Sequence, residues 1–69
     1  MARWEISIPL VNDDGQRLGV QWFNYDADYT VARDQALIDV HTDDAIRHRR
    51  GAAVDVTGLK IRAWWPGSI

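Results

Sequence analysis

The sequence predicts a small single-domain α+β fold with a β-β-α-β order of elements across residues 1–69. Apolar and polar residues alternate in residues 3–11 and return to alternation near the C-terminus, in 54–65, which is the period of half-buried strands. Between these segments, residues 31–40 change to the spacing of an amphipathic helix. We therefore expect an N-terminal hairpin plus a C-terminal strand in one sheet, with the helix packed on one face.

The first two strands are expected to form a hairpin. Alternate positions of the first strand hold its large apolar side chains, namely Trp4, Ile6, Ile8 and Leu10. Pro9 has no N–H to donate, so we expect it at a sheet edge or where the hydrogen-bond ladder is already open. Residues 12–15 are Asn-Asp-Asp-Gly, a turn-favouring run, and a second strand follows from about Leu18 to Tyr25.

A helix is expected after the second strand. Asp26, Asp28 and Thr30 can each accept hydrogen bonds from the free N–H groups at its start. Its small and aliphatic residues fall on one stripe, formed by Ala32, Ala36, Leu37 and Val40. This stripe gives the helix an inner face.

Residues 41–51 predict a break and then a second, shorter helical piece. Thr42 can cap a new helix, with acidic residues after it and basic residues before Gly51, as the helix dipole favours. Gly51 fits the position after the last turn. One continuous helix through this region is the alternative.

The final strand is expected to have a weak point in its middle. Val54 and Val56 precede Thr57 and Gly58, after which Leu59, Ile61, Ala63 and Trp65 alternate with Lys60, Arg62 and Trp64. The place of this strand in the sheet stays open. If it lies parallel to a hairpin strand, the helical crossover should be right-handed.

The composition indicates a small soluble protein with little internal support. A chain of 69 residues buries only about 60% of the surface exposed by its unfolded form. It has no cysteine, so a disulfide cannot support it, and we expect a cytoplasmic location. Neither a signal peptide nor a membrane span is expected. Self-association into a homo-oligomer is the remaining source of support.

Charge and codon bias narrow the function classes further. The net charge is −2, which disfavours a protein built mainly to neutralise phosphates. Basic residues are almost all arginine, with a single lysine, which suggests a GC-rich genome such as that of an actinobacterium or its phage. The localisation expected is therefore the bacterial or the phage-infected host cytoplasm.

The aromatic residues predict a protein–protein interface. One helix can cover only one face of the sheet. If Trp4, Trp22 and Trp65 point at the helix, the remaining strand aromatics lie on the uncovered face, among Arg62, Lys60 and Gln21. The predicted interface consists of Phe23, Tyr25, Arg62 and Trp64. Three alternatives are open for this face: it is covered by the C-terminal tail or by residues 42–53, by a second copy in a homo-oligomer, or by a host protein.

A single-stranded nucleic-acid platform is the alternative function, because rings can stack on bases while cations meet phosphates. Its possible contacts are Arg47, Arg49, Arg50 and Lys60. A structural explanation of the arginines competes with this one, since cations in a last helical turn are favoured by the dipole and acidic residues lie one turn away.

Catalysis, a cofactor and a metal are not expected. The sequence has no thiol, no glycine-rich phosphate loop and no nucleophile elbow. His41, Asp44 and His48 would share one side of an unbroken helix, as some metal ligands do, but a break at Thr42 would separate them. The sequence therefore predicts a non-catalytic accessory or regulatory protein.

Overall fold

The computed structural model describes residues 3–63 and confirms the α+β fold class. Two long strands come first, then two helices, then two short strands separated by one turn of 3-10 helix. The elements are β1 (Arg3–Val11), β2 (Arg17–Asp26), α1 (Tyr29–Asp39), α2 (Asp43–His48), β3 (Ala53–Val54), the 3-10 turn (Val56–Gly58) and β4 (Lys60–Ala63).

The sheet is antiparallel, with β1 at its centre. On one side β1 pairs with β2, in a register that places Ile6 opposite Phe23. On the other side β1 pairs with β3 at Leu10 and with β4 at Ile6, which lies opposite Ile61. The C-terminal strands β3 and β4 are thus antiparallel to β1. The parallel pairing that the sequence left open does not occur, and neither does its right-handed crossover.

One extra residue in β2 disturbs the hairpin close to its turn. Val11 lies opposite Arg17, but Leu10 lies opposite Gly19, so Leu18 has no partner of its own across the pair. Gly19 has φ of +149°, a region that glycine adopts far more easily than other residues. The irregularity is therefore a β-bulge, which shifts the rest of β2 by one residue against β1.

The hydrophobic core is small and lies between β1 and α1. Ile6 and Ile8 are fully buried against three fully buried residues of the helix stripe, Ala32, Ala36 and Val40. Larger side chains surround this centre, namely Trp4, Phe23, Tyr25, Val54, Leu59 and Ile61. The alanines let the helix approach the sheet closely, which explains why the predicted stripe faces inward.

Trp4 joins the sheet to the start of α1. Its indole N–H donates to the carbonyl of Ala27, with 3.0 Å between the nitrogen and the oxygen. Its ring meets Tyr29 edge-on, with 5.2 Å between ring centroids. Trp4 is therefore an inward-facing residue, as the sequence predicts.

The two helices are separate, with a break at Thr42 as expected. The Thr42 hydroxyl accepts from the N–H of Ala45 and donates to the carbonyl of Asp39, so it closes one helix and opens the next. The end of α2 differs from expectation by one residue. Arg50 adopts φ of +56° directly after the cap, and Gly51 follows at +78°. The N–H of Gly51 donates to the carbonyl of Ile46, as in a Schellman motif.

Pro9 lies in the central strand, at the point where β3 has ended and β4 has not begun. Its carbonyl accepts from the N–H of Asp55 at 3.0 Å, so the backbone of Pro9 faces the β3 and β4 side. The missing N–H of Pro9 therefore falls at the 3-10 turn, where no strand is paired to β1. This confirms that Pro9 sits where the ladder is open.

Gly58, the last residue of the 3-10 turn, lies close to the Pro9 ring. A Cβ added at Gly58 would stand 2.8 Å from Cγ of Pro9 and 3.3 Å from its Cδ. A proline ring cannot move aside as a flexible side chain would. The weak point predicted at Thr57 and Gly58 is thus a close approach between the turn and the central strand.

We predict that Gly58→Ala lowers the free energy of unfolding by about 1 to 3 kcal/mol, the usual cost of overpacking. Urea unfolding followed by tryptophan fluorescence measures it. The matched control is the same change in a Pro9→Ala background, where the ring is absent and the loss should shrink to less than half. An equal loss in both backgrounds would contradict the assignment of the cost to the Pro9 ring.

Candidate interaction face

The face of the sheet that points away from α1 is here called the open face. It is formed by alternate residues of β1, β2 and β4, in register across the sheet, and its central part includes Glu5, Ser7, Val20, Trp22, Asn24, Lys60 and Arg62. These residues follow from the pairing, because side chains directly opposite in an antiparallel pair point to the same side. Ile6, opposite both Phe23 and Ile61, points to the core, so its neighbours in the chain point to the open face.

Trp22 is the large aromatic side chain at the middle of this face, and 52% of its surface is exposed. Ser7 lies between Trp22 and Lys60 in register and is almost completely buried. The open face thus has a small polar residue at its floor and a tryptophan standing beside it. An exposed tryptophan among polar groups is typical of binding anchors.

Arg62 holds the Trp22 ring from the far side of the sheet. Its guanidinium carbon lies 5.6 Å from the centroid of the Trp22 ring, within the range of a cation–π contact. The same guanidinium donates through Nε and Nη2 to one carboxylate oxygen of Glu5, at 2.8 and 2.5 Å. Glu5 is mostly covered, with a side chain that is 16% exposed. The three side chains therefore form a chain of contacts that orients the ring.

The structure corrects the expected facing of the second strand. Phe23 and Tyr25, predicted on the uncovered side, lie partly buried on the helix side, while Trp22, predicted to face the helix, lies on the open face. The bulge at Leu18 and Gly19 is the reason. Continued without it, the register at Val11 would place Trp22 opposite Ile6, in the core. A shift of one residue sends every side chain to the other face.

The same shift moves Gln21 from the uncovered face, where the sequence places it, to the helix side of the sheet. Its amide donates to the carbonyl of Ala45 at 3.0 Å, so it is buried beneath α2 and is not part of the open face. This contact places α2 on the helix side of the sheet. Residues 42–53 therefore do not close the open face through α2, which removes that part of the alternative considered from the sequence.

Tyr25 has a structural role on the helix side. Its hydroxyl donates to Oδ2 of Asp39 at 2.7 Å, and the other oxygen of that carboxylate accepts from the Gln35 amide at 2.8 Å. Burial raises the pKa of the Tyr25 phenol well above its usual value, and the hydrogen bond to Asp39 with the negative charge of that carboxylate raises it further. Tyr25 thus ties β2 to α1.

Of the four cations considered as nucleic-acid contacts, only Lys60 lies on the open face. Arg47 pairs with Asp44 on the surface of α2, and Arg50 is exposed after the helix. Arg49 is turned inward: it donates to the carbonyls of Val40 and Ala52 at 2.5 and 2.7 Å and to the Gln21 amide oxygen at 3.2 Å. Arg49 therefore joins α1, α2 and β2 and is a structural residue.

The remaining predicted interface residues divide between the open face and the end of the chain. Arg62 is on the open face, as described. Trp64 lies outside the described residues, and so does Trp65. The interface role of the whole predicted set stays a prediction.

Two residues that matter here, Trp22 and Glu5, were not assigned to the interface from the sequence. A signal for the first was present, because an isolated glycine inside a strand pattern, here Gly19, often marks a bulge. Glu5 carried no such signal. Its role depends on Arg62, which is 57 residues away in the chain and reaches it only through the pairing of β1 with β4.

Residues 3–63 contain neither a cluster of metal-binding side chains nor a helix that could cross a membrane. No three or more histidine or acidic side chains of this part of the chain stand close enough together to hold a metal ion. His41 lies in the break before Thr42, and His48 ends α2. None of the helices described in this range has the length and apolar character needed to cross a membrane.

Comparisons with protein-family models, with curated proteins and with solved structures found no match to this chain.

We predict that Tyr25→Phe lowers the free energy of unfolding by about 1 kcal/mol near neutral pH, the usual net value of one hydrogen bond. Because the pKa of Tyr25 is raised in the folded protein, its contribution is complete below the pKa of an unfolded tyrosine, about 10, and falls as the pH rises toward the folded value. Urea unfolding of both proteins between pH 8 and pH 11 should therefore show a difference that narrows only above about pH 10. A difference that stays constant to pH 11 would exclude the raised pKa.

Proposed function

We propose that this chain is a non-catalytic interaction protein that binds a protein partner through the open face. The partner is a second copy of the chain or a host protein. The observation that carries the proposal is Trp22, more than half exposed on a sheet face that α1 does not cover and held by Arg62. A large ring that is already oriented before binding loses less conformational freedom in the complex, so more of its contact energy appears as affinity.

The polar groups of the open face support binding rather than chemistry. Glu5 is occupied by Arg62, and Arg62 is occupied by both Glu5 and the Trp22 ring. Ser7 is nearly buried between its two neighbours in register. These groups hold an aromatic surface in place, which is the arrangement of an anchor with a polar rim.

The amino-acid composition supports a proposed source organism and cellular location. The excess of arginine over lysine favours a GC-rich bacterium, such as an actinobacterium, or its phage as the source. The lack of cysteine favours the cytoplasm. A regulatory or accessory role in such a cell is compatible with a small domain that offers one binding surface.

We predict that Trp22→Ser weakens partner binding at least tenfold, since loss of an anchor side chain costs more than about 1.4 kcal/mol. Two measurements check it: the oligomeric state by light scattering, and capture of a partner from a lysate of the native cell by the tagged chain. The matched control is Ile38→Ser on the outer side of α1, where the side chain is 63% exposed and apolar but far from the open face. If Trp22→Ser leaves both measurements unchanged, the proposal is rejected.

A second candidate function is binding of single-stranded nucleic acid on the same face. The observation in its favour is that Lys60 and Arg62 stand on the open face with Trp22, so a base could stack while cations contact phosphates. The net charge of −2 and the inward position of Arg49 weigh against it.

For this second candidate, titration with a short oligonucleotide should quench tryptophan fluorescence, and the affinity should fall steeply with added salt as counterions compete. Trp22→Ser should remove the quenching. The absence of any fluorescence change at low ionic strength would dismiss nucleic-acid binding and leave the protein interface as the explanation of the open face.

A further inference from the structure

The outer edge of β2 is a long strand edge with little protection. β2 runs over ten residues and pairs with β1 on one side, and within residues 3–63 no strand pairs with its other side. Charges stand only at its ends, at Arg17 and Asp26, and the residues between them contain neither charge nor proline. Proteins usually protect such edges with short strands, lysines or prolines. The opposite edge is protected, because β3 and β4 are short and interrupted by the 3-10 turn.

The position of Pro9 shows which backbone groups of β2 face outward. Since the Pro9 carbonyl bonds to Asp55, Pro9 points its backbone away from β2, and Pro9 and Val20 form a pair without mutual hydrogen bonds. The alternation of an antiparallel ladder repeats this at Ser7 with Trp22 and at Glu5 with Asn24. Val20, Trp22 and Asn24 therefore turn their N–H and C=O groups to the outer edge.

Space is available beside this edge. A cleft of about 310 Å³ opens there, between β2 and the end of α2. It is lined by Leu10, Val20, Gln21, Trp22, His48 and Arg49. The end of α2 thus stands beside the edge without filling it.

We propose that β2 of a second copy of this chain pairs with this edge in antiparallel orientation, about a two-fold axis at Trp22. The outward groups are symmetric about that residue, so Trp22 pairs with Trp22 of the second copy, and Val20 and Asn24 of one copy pair with Asn24 and Val20 of the other. Each of these pairs supplies two backbone hydrogen bonds, and one continuous sheet spans both copies.

The charges of β2 favour a second copy in this orientation. Antiparallel pairing brings Arg17 near Asp26 of the other copy, whose carboxylate also accepts from Arg3 of its own chain, and the same contact repeats at the other end by symmetry. Parallel pairing would bring like charges together at both ends. The register also places Gly19 opposite Tyr25 of the second copy. Because glycine has no side chain, the Tyr25 ring meets no side chain there.

This inference goes beyond the proposed function, because the second copy binds the outer edge of β2 and leaves the open face free for its own partner. Residues opposite each other in the new pairing point to the same face, so the two helical layers share one side and the two open faces join. The Trp22 rings of both copies then stand together in the middle of a surface twice as wide. A further partner would bind across both copies.

The test combines light scattering with amide hydrogen exchange. We expect a mass of twice one chain at high concentration, with slow exchange at Val20, Trp22 and Asn24 that becomes at least tenfold faster on dilution to the monomer. The amides of Gln21 and Phe23, which face β1, should stay slow in both states. A chain that is monomeric at every soluble concentration, or a dimer whose three outward amides exchange fast, overturns the proposal.

Proline variants test the edge directly. Asn24→Pro removes an outward N–H without removing a bond to β1, so it should abolish the dimer. The matched control is Ala63→Pro, at the opposite edge of the sheet. Ala63 lies opposite Trp4 in a pair without mutual hydrogen bonds, so its N–H also points outward and its loss removes no bond to β1. This variant should keep the dimer, because the edge of β2 is unchanged. If Asn24→Pro stays dimeric while Trp22→Ser becomes monomeric, the edge pairing is wrong but the proposed function of the open face stands.

Discussion

The bulge at Leu18 and Gly19 is the constraint on which the two faces of this protein depend. It inserts one residue into β2 just after the turn, and the backbone at Gly19 takes a conformation that suits glycine. Everything beyond it in β2 is rotated to the opposite side relative to a regular hairpin. Phe23 and Tyr25 thereby complete the core around Ile6, and Trp22 is turned outward to Arg62.

The central strand β1 has two different neighbours, and this difference shapes the sheet. Along β2 the ladder is long, whereas along β3 and β4 it is interrupted at Pro9, where the strand has no N–H to offer. The 3-10 turn with Gly58 fills the interruption and contacts the proline ring. One sheet edge is therefore broken and short, and the other is continuous and open to pairing.

The small core requires support from polar contacts between the layers. Alanines on α1 allow close packing but bury little apolar surface, since each contributes only one methyl group. Tyr25 bonds to Asp39, and Arg49 bonds to three groups: one directly after α1, one in β2 and one in the segment before β3. Arginine suits this role because its fixed fork of donors can satisfy several carbonyls at helix ends at once. The cluster 47–50, which by sequence could serve a ligand, is thus partly used to hold the layers together.

Local spacing in the sequence predicts most of the elements, although the final strand expected as one piece is divided into β3 and β4 by the 3-10 turn. Alternation marked β1, the 3.6-residue stripe marked the buried face of α1, and Thr42 marked the break between the helices. Pro9 and Gly58 each marked an irregular place, but only the structure shows that the two meet. Only the tertiary structure decided which face of β2 is buried, because both faces of that strand are apolar and a single bulged residue exchanges them. The contacts of Arg62 with Glu5 and Trp22 were likewise beyond local patterns, since Arg62 is far from both in the chain and meets them only because β1 lies between β2 and β4.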